Sequence, residues 1–144
     1  GPRAHCVLRY DTENMQRVAR FLRDRGLTGV LPKLPRVFGY NLENNIKPKA
    51  AFLLEDMGRS AEEVNKHGHV FKHSLLGRIK PRHQYLQHLG VTRRFHLHQM
   101  YKCSDEQFAK NIAKKSLDHY MAWMSQSGDF LQTSAAARQG DPQQ

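Results

Sequence analysis

The chain repeats itself, and this restricts its fold more than any other property. Phe38, Leu42, Ile46, Lys47 and Pro48 recur as Phe71, Leu75, Ile79, Lys80 and Pro81, at a constant offset of 33 residues. Tyr10, Glu13 and Asn14 recur thirty residues on as Tyr40, Glu43 and Asn44. An apolar pair follows in each copy, Phe21-Leu22, Phe52-Leu53 and Tyr85-Leu86, and a glycine closes it, at Gly26, Gly58 and Gly90. A unit of this length cannot bury its apolar face alone, so neighbouring copies must pack on one another to make a core.

Each copy reads as helix, helix and short turn-like helix. Pro48 and Pro81 suit a first helical turn, where the missing N–H would be unpaired in any case, and the glycines suit the stop. Ser60 to Glu63 and Ser104 to Gln107 have the form of capping boxes, a hydroxyl at the start and a Glu or Gln three residues later. These signals predict helices from Pro48 to near Gly58, Ser60 to about Val70, Pro81 to near Gly90 and Thr92 to Tyr101, with a short element at Ser74–Ile79. Pro32 and Pro35 break the corresponding place in the earlier copy. A final helix opens at Ser104 with Phe108, Ile112, Leu117, Tyr120, Met121 and Met124 on one face, and Gly128 ends it. Residues 128–144 are small, polar and unpatterned, which predicts a tail that is flexible in isolation.

Charge points to the partner. The 144 residues carry 23 Lys and Arg against 13 Asp and Glu, a formal +10, and such an excess implies an anionic partner. The distribution is uneven. Between Val64 and Ser104 there is no acidic residue, while Lys66, Lys72, Arg78, Lys80, Arg82, Arg93, Arg94 and Lys102 fall inside, with seven of the nine His. Lys47-Pro48-Lys49 and Lys80-Pro81-Arg82 place two cations at the same point of successive copies, which predicts a row of cations able to track phosphates. The candidate nucleic-acid-binding residues are therefore Lys47, Lys49, Lys72, Arg78, Lys80, Arg82, Arg93, Arg94 and Lys102. Arg17, Arg20 and Arg23, and Lys110 with Lys114, lie among acids, and for them a solvated face is as good a reading. Phe71, Tyr85, Phe95 and Tyr101 interleave with the basic residues. Exposed aromatics there would stack on unpaired bases, but Phe71 and Tyr85 sit at repeat-core positions and are read as packing.

Other chemistries find little support. Cys6 and Cys103 are isolated, which fits a reducing compartment. His69 and His73 are one turn apart and His96-Leu97-His98 is followed by Cys103, but His96 and His98 would point to different helix faces and zinc wants four convergent ligands. No metal and no cofactor are expected. No phosphate-cradling glycine loop, nucleophile elbow or carboxylate cluster is present, so no catalytic residue is assigned. The longest purely apolar stretch, Ala50 to Leu54, is far too short to span a bilayer.

The stretches R-V-F-G-Y-N-L-E-N-N-I-K-P-K-A-A-F-L and F-K-H-S-L-L-G-R-I-K-P-R-H-Q-Y-L resemble the repeat of the mitochondrial transcription termination factor (mTERF) family, in which a proline opens each unit's first helix. The resemblance runs from Cys6 to Tyr120, and S-D-E-Q-F-A-K-N-I is similar to the family's closing motif. It implies an all-α, right-handed solenoid-like arc of about three and a half helix-triplet repeats, with a C-terminal helix and a polar tail. Residues 1–127 would form the repeat domain and 128–144 the tail. It further implies a non-enzymatic protein of mitochondria, or alternatively plastids, whose basic concave side contacts nucleic-acid backbone. The partner expected first is RNA, ribosomal RNA above all, with this chain as an accessory subunit of an organellar ribosome or other ribonucleoprotein and the tail against ribosomal proteins. The alternatives are a freestanding regulator of organellar transcription or RNA processing that binds DNA or RNA, and a protein-binding helical scaffold. No membrane partner is expected.

Overall fold

The structure, a computed structural model, describes residues 12–127. Tyr10, Cys6, the stop expected at Gly128 and the tail at 128–144 lie outside the described residues. Every regular element within them is helical, so the all-α expectation holds. The residues up to Lys72 form one compact unit and those from His73 a second.

The first unit holds two copies of the repeat. Helix α1, Thr12–Asp24, is followed by the short α2, Val30–Lys33, and a tight 3-10 turn at Pro35–Gly39. Helix α3 occupies residues 42–56, α4 is Ala61–Lys66, and a second 3-10 turn covers Gly68–Lys72. In the second unit α5 occupies residues 75–88, α6 is Leu97–Tyr101, α7 occupies residues 105–113 and α8 is Leu117–Gln126.

Three long helices end in the same way. Gly26, Gly58 and Gly90 have φ of +74°, +66° and +73°, the left-handed conformation that a side chain disfavours and glycine permits. The chain then bonds back across each turn, Leu27 N–H to the Leu22 carbonyl, Arg59 to Leu53 and Val91 to Leu86. The leucines those carbonyls belong to are the second members of the repeated apolar pairs, 0, 0 and 6 % exposed. Val30, Val64 and Leu97, on the short helices, are buried as well. Burying such side chains contributes about 1.5–3 kcal/mol each.

The prolines are not where the sequence signals put them. Asn41 and Ser74 are the N-caps, accepting from the N–H of Asn44 at 2.8 Å and of Gly77 at 2.9 Å. Each helix therefore begins well before its proline, and the short element expected at Ser74–Ile79 is the opening turn of α5 itself. That turn is wide: Ile46 and Ile79 donate to the carbonyls of Asn41 and Ser74, five residues back. A π-helical turn here has a physical reason. Proline has no N–H to continue a tight ladder, and its ring would collide with the carbonyl four residues earlier, so the widened turn absorbs it.

Two further expectations are corrected. Residues 92–96 are not helical, and only Leu97–Tyr101 forms the partner helix, with the His96 N–H donating to Gln99 Oε1 at 2.9 Å. The final helix is also broken in two. Ser104 and Gln107 do form a reciprocal capping box, but α7 stops at Lys114, whose φ of 60° is left-handed. Ser116 then caps α8 by accepting from the His119 N–H, a type of bond worth about 1 kcal/mol. The break turns Phe108 and Tyr120 into the core, both 0 % exposed, and leaves Met121 39 % exposed.

Candidate nucleic-acid interface

The two Lys-Pro-basic turns separate their cations. In a helix, residues two apart differ by about 200° in direction, so when Lys47 faces out, Lys49 faces in. Lys49 is 0 % exposed. Its Nζ donates to the Phe71 carbonyl at 2.9 Å and lies 5.5 Å from the centroid of the Tyr40 ring. Arg82 is likewise 0 % exposed. It donates to the Met100 carbonyl at 2.7 Å and to Asp105 Oδ1 at 2.9 Å, with its guanidinium 4.9 Å from the Phe108 ring centroid. Both side chains fasten one element of the repeat to another, and neither is placed to meet a phosphate. They are removed from the candidate list: their recurrence at one offset reflects the same buried tether used twice.

Arg78 is a partial case. It donates to the Tyr101 carbonyl at 2.9 Å and is half-buried. Burial, with the neighbouring Arg82 charge, draws its pKa below the ordinary guanidinium value. Of the remaining candidates, Lys72, Arg93, Arg94 and Lys102 are exposed, while Lys47 and Lys80 are half-exposed. Lys47 is already neutralised, its Nζ 2.8 Å from Glu43 Oε2, an oxygen that Arg17 also reaches at 3.1 Å. The bond from Lys47 is the main cause that lowers the Glu43 pKa. The residue one repeat after Glu43 is Leu76, so α5 has no carboxylate at the position that faces Lys47 in α3.

The second unit has the larger net positive charge because it has fewer acids. Its described residues carry nine Lys and Arg against three Asp and Glu, a net +6, where those of the first carry eleven against seven, a net +4. Lys110, Lys114 and Lys115 are exposed there too. Lys110 and Lys114 look, by sequence alone, like part of a mixed-charge helix face; the helix break at Lys114 was the missing information.

Sequence reasoning also undervalued α1. Arg17 and Arg20 line a groove of about 230 Å³ with Phe21, Asp24, Leu42 and Lys47. Lys47 comes from α3, thirty residues away from Arg17 in the chain, so no local spacing reveals the cluster.

All four interleaved aromatics belong to the core. Phe71 and Tyr85 are 0 % exposed, Phe95 7 % and Tyr101 1 %, so none offers a face to a base. Tyr85 contacts the His119 ring through its hydroxyl and packs with Phe108, Tyr120 and Trp123, and burial raises its pKa. His96 and His98 do not diverge as helical spacing predicts. His96 precedes α6 in extended conformation, and the two rings stack, centroids 5.8 Å apart and planes 14° from parallel. Among the described residues no three of His, Cys, Asp and Glu converge to hold a metal ion, and no helix is long and apolar enough to cross a membrane.

Comparison with known proteins places this architecture. No solved structure matches the chain. Over 86 residues it is 30 % identical to the chloroplastic transcription termination factor MTERF2 of Arabidopsis thaliana. That alignment covers 60 % of this chain and 13 % of the relative's length. The mTERF family model matches residues 3–109, which takes in the glycine-closed helices and both Lys-Pro-basic turns. The chain therefore belongs to the mTERF family.

Proposed function

We propose that this chain is a non-catalytic, nucleic-acid-binding mTERF module of organellar gene expression, holding RNA by its phosphate backbone. The observation that carries this is the second unit's surplus of cations over acids at its surface: exposed Arg93, Arg94, Lys102, Lys110, Lys114 and Lys115, with half-exposed Lys80, against Asp105, Glu106 and Asp118. Cations on a surface poor in acids bind phosphates by releasing counterions, an affinity that carries little sequence information. Burial of Phe71, Tyr85, Phe95 and Tyr101 supports the same emphasis on backbone over bases.

The wider role proposed is that of an accessory subunit laid on ribosomal RNA in an organellar ribosome or another ribonucleoprotein. The similarity to a relative named as a chloroplastic transcription termination factor supports the second reading, a freestanding regulator of organellar transcription or RNA processing.

Native pull-down from isolated mitochondria and plastids across a salt series tests both. Co-sedimentation with ribosomal RNA that persists at high salt is the expected outcome. Release of a few discrete transcripts or DNA sites as salt rises would establish the regulator instead. Retention of protein partners alone, insensitive to salt, would overturn nucleic-acid binding altogether.

A further inference from the structure

The stretch after each left-handed glycine differs among the three copies. Between Gly26 and α2 lie Leu27, Thr28 and Gly29; between Gly58 and α4 lie only Arg59 and Ser60. Between Gly90 and α6 the chain runs through Val91, Thr92, Arg93, Arg94, Phe95 and His96. The third copy has therefore gained length at this one place, and what it gained is basic and aromatic.

The longer segment is held at defined points. The Val91 N–H is bonded to the Leu86 carbonyl at 2.9 Å, Phe95 is 7 % exposed, and the His96 N–H is bonded to Gln99 Oε1. Thr92, Arg93, Arg94, His96 and His98 are exposed. The Arg93 guanidinium lies 4.9 Å from the Phe95 ring centroid, which limits its freedom and lowers the entropy lost on binding. His96 and His98 present a ready stack of two near-parallel rings. No acidic residue occurs in the surrounding sequence from Val64 to Ser104. Arginines for phosphate beside planar rings for a base are the two elements that single-strand recognition combines.

We propose that Val91–His98 is a binding site for an unpaired nucleotide of RNA, with the His96 and His98 rings as its stacking platform and Arg93 and Arg94 on the flanking phosphates. This rests on the nucleic-acid reading above and adds what that reading lacks, a contact that distinguishes single strands from duplexes. A paired base is already covered on both faces by its neighbours, so the ring pair has nothing to receive from a duplex. The arginines serve either form.

The test is fluorescence anisotropy with the full chain, a short labelled single-stranded RNA and the duplex of the same sequence. The double variant His96→Ala/His98→Ala is expected to weaken single-strand binding roughly tenfold, the effect of one lost base stack, and duplex binding by less than about twofold. His96→Phe/His98→Phe keeps two flat rings and is expected to retain the single-strand affinity. Arg93→Gln/Arg94→Gln weakens both ligands and reduces the salt slope for the single strand by about 1.4, the value for two phosphate contacts. Equal losses on both ligands with the alanine pair, or no loss, while the unaltered chain binds RNA, would overturn the nucleotide site alone. Failure of the unaltered chain to bind either RNA at physiological salt would overturn the nucleic-acid reading and the site with it. Circular dichroism and thermal unfolding confirm that each variant is folded.

Discussion

The same tripeptide pattern stands in both compact units and works differently on its outer side. In the first, Lys47 is held by Glu43, and Glu43 is shared with Arg17. In the second, Leu76 stands where the carboxylate would be. On the inner side the two agree, Lys49 and Arg82 each reaching a backbone carbonyl in the core. One helical repeat thus carries two kinds of cation, an inner one that keeps the fold together and an outer one that has a carboxylate one turn before it in the first unit and a leucine there in the second. Total net charge does not distinguish them.

The inner cations give the largest expected effects. Arg82→Ala is expected to lower stability by about 2–5 kcal/mol, because it empties the space of a fully buried side chain and removes its bond to the Met100 carbonyl, while the half-exposed Asp105 is left to water. Lys49→Ala, which removes the bond to the Phe71 carbonyl, should cost about 1–3 kcal/mol. Urea unfolding measures both, and RNA affinity under folding conditions should hardly change. If affinity fell while the unfolding midpoint stayed fixed, the inner cations would be ligand contacts and the division drawn above would fail.

Next in size is Gly29→Ala. The first unit is tied by a neutral amide: Asn65 Oδ1 accepts from the Gly29 N–H at 3.0 Å and its Nδ2 donates to the Gly26 carbonyl at 2.8 Å. A Cβ on Gly29 would stand 2.7 Å from that of Asn65, so the substitution forces the helices apart at a cost of about 1–3 kcal/mol. Thermal unfolding checks it, and the loss should be insensitive to salt; a salt-dependent loss would mean that charge, not contact, holds this unit.

The outer cations are compared by exchanging each for glutamine. Lys80→Gln is expected to reduce the salt slope of single-stranded RNA binding by about 0.7, one phosphate contact. Lys47→Gln should change it by less, since Lys47 is bonded to Glu43. Equal slopes for the two variants would remove the distinction between units.

The smallest effect belongs to Glu43. Its folded pKa lies below the ordinary glutamate value, chiefly through the Lys47 bond. The sign follows from linkage: the contribution is complete above the unfolded pKa and is lost as pH falls toward the lowered folded one. Glu43→Gln should therefore remove a slight stabilisation in the weakly acidic to neutral range and flatten the acid limb of the stability profile. It should also raise RNA affinity slightly by freeing Arg17 and Lys47. A weaker affinity would show that Glu43 orients these cations for the ligand.

Much of the architecture was legible in the residues because its signals are local. Gly26, Gly58 and Gly90 mark helix ends, and the Ser60 and Ser104 caps act within four residues. The prolines misled because the rule that places proline early in a helix is a tendency, and a widened turn is another way to accommodate one. The break at Lys114 was masked by an apolar pattern that carries on through it, although Ser116 with Asp118 two residues on was a readable second start. The inward turn of Lys49 and Arg82 follows from helical phase, but only after the helix limits are known. The Arg17, Arg20 and Lys47 groove depends on how α1 meets α3, which no spacing within either helix encodes.

The left-handed glycines have one more consequence. At Gly58 and Gly90 nothing lies within 4 Å of where a Cβ would stand, so the side-chain face of each turn is open. Doubling a loop's length costs only about 0.6 kcal/mol in closure entropy. These exits are therefore sockets: a segment fitted there can change in length, provided that it keeps the buried anchor, Arg59 in one copy and Phe95 in the other. Cutting Val91–His96 back to Arg-Ser, the form found after Gly58, should lower the stability of the second unit by the burial that Phe95 contributes. Moving the six-residue segment behind Gly58 should carry Arg93 and Arg94 to a new address and leave the ring pair incomplete, because His98 stays behind on α6.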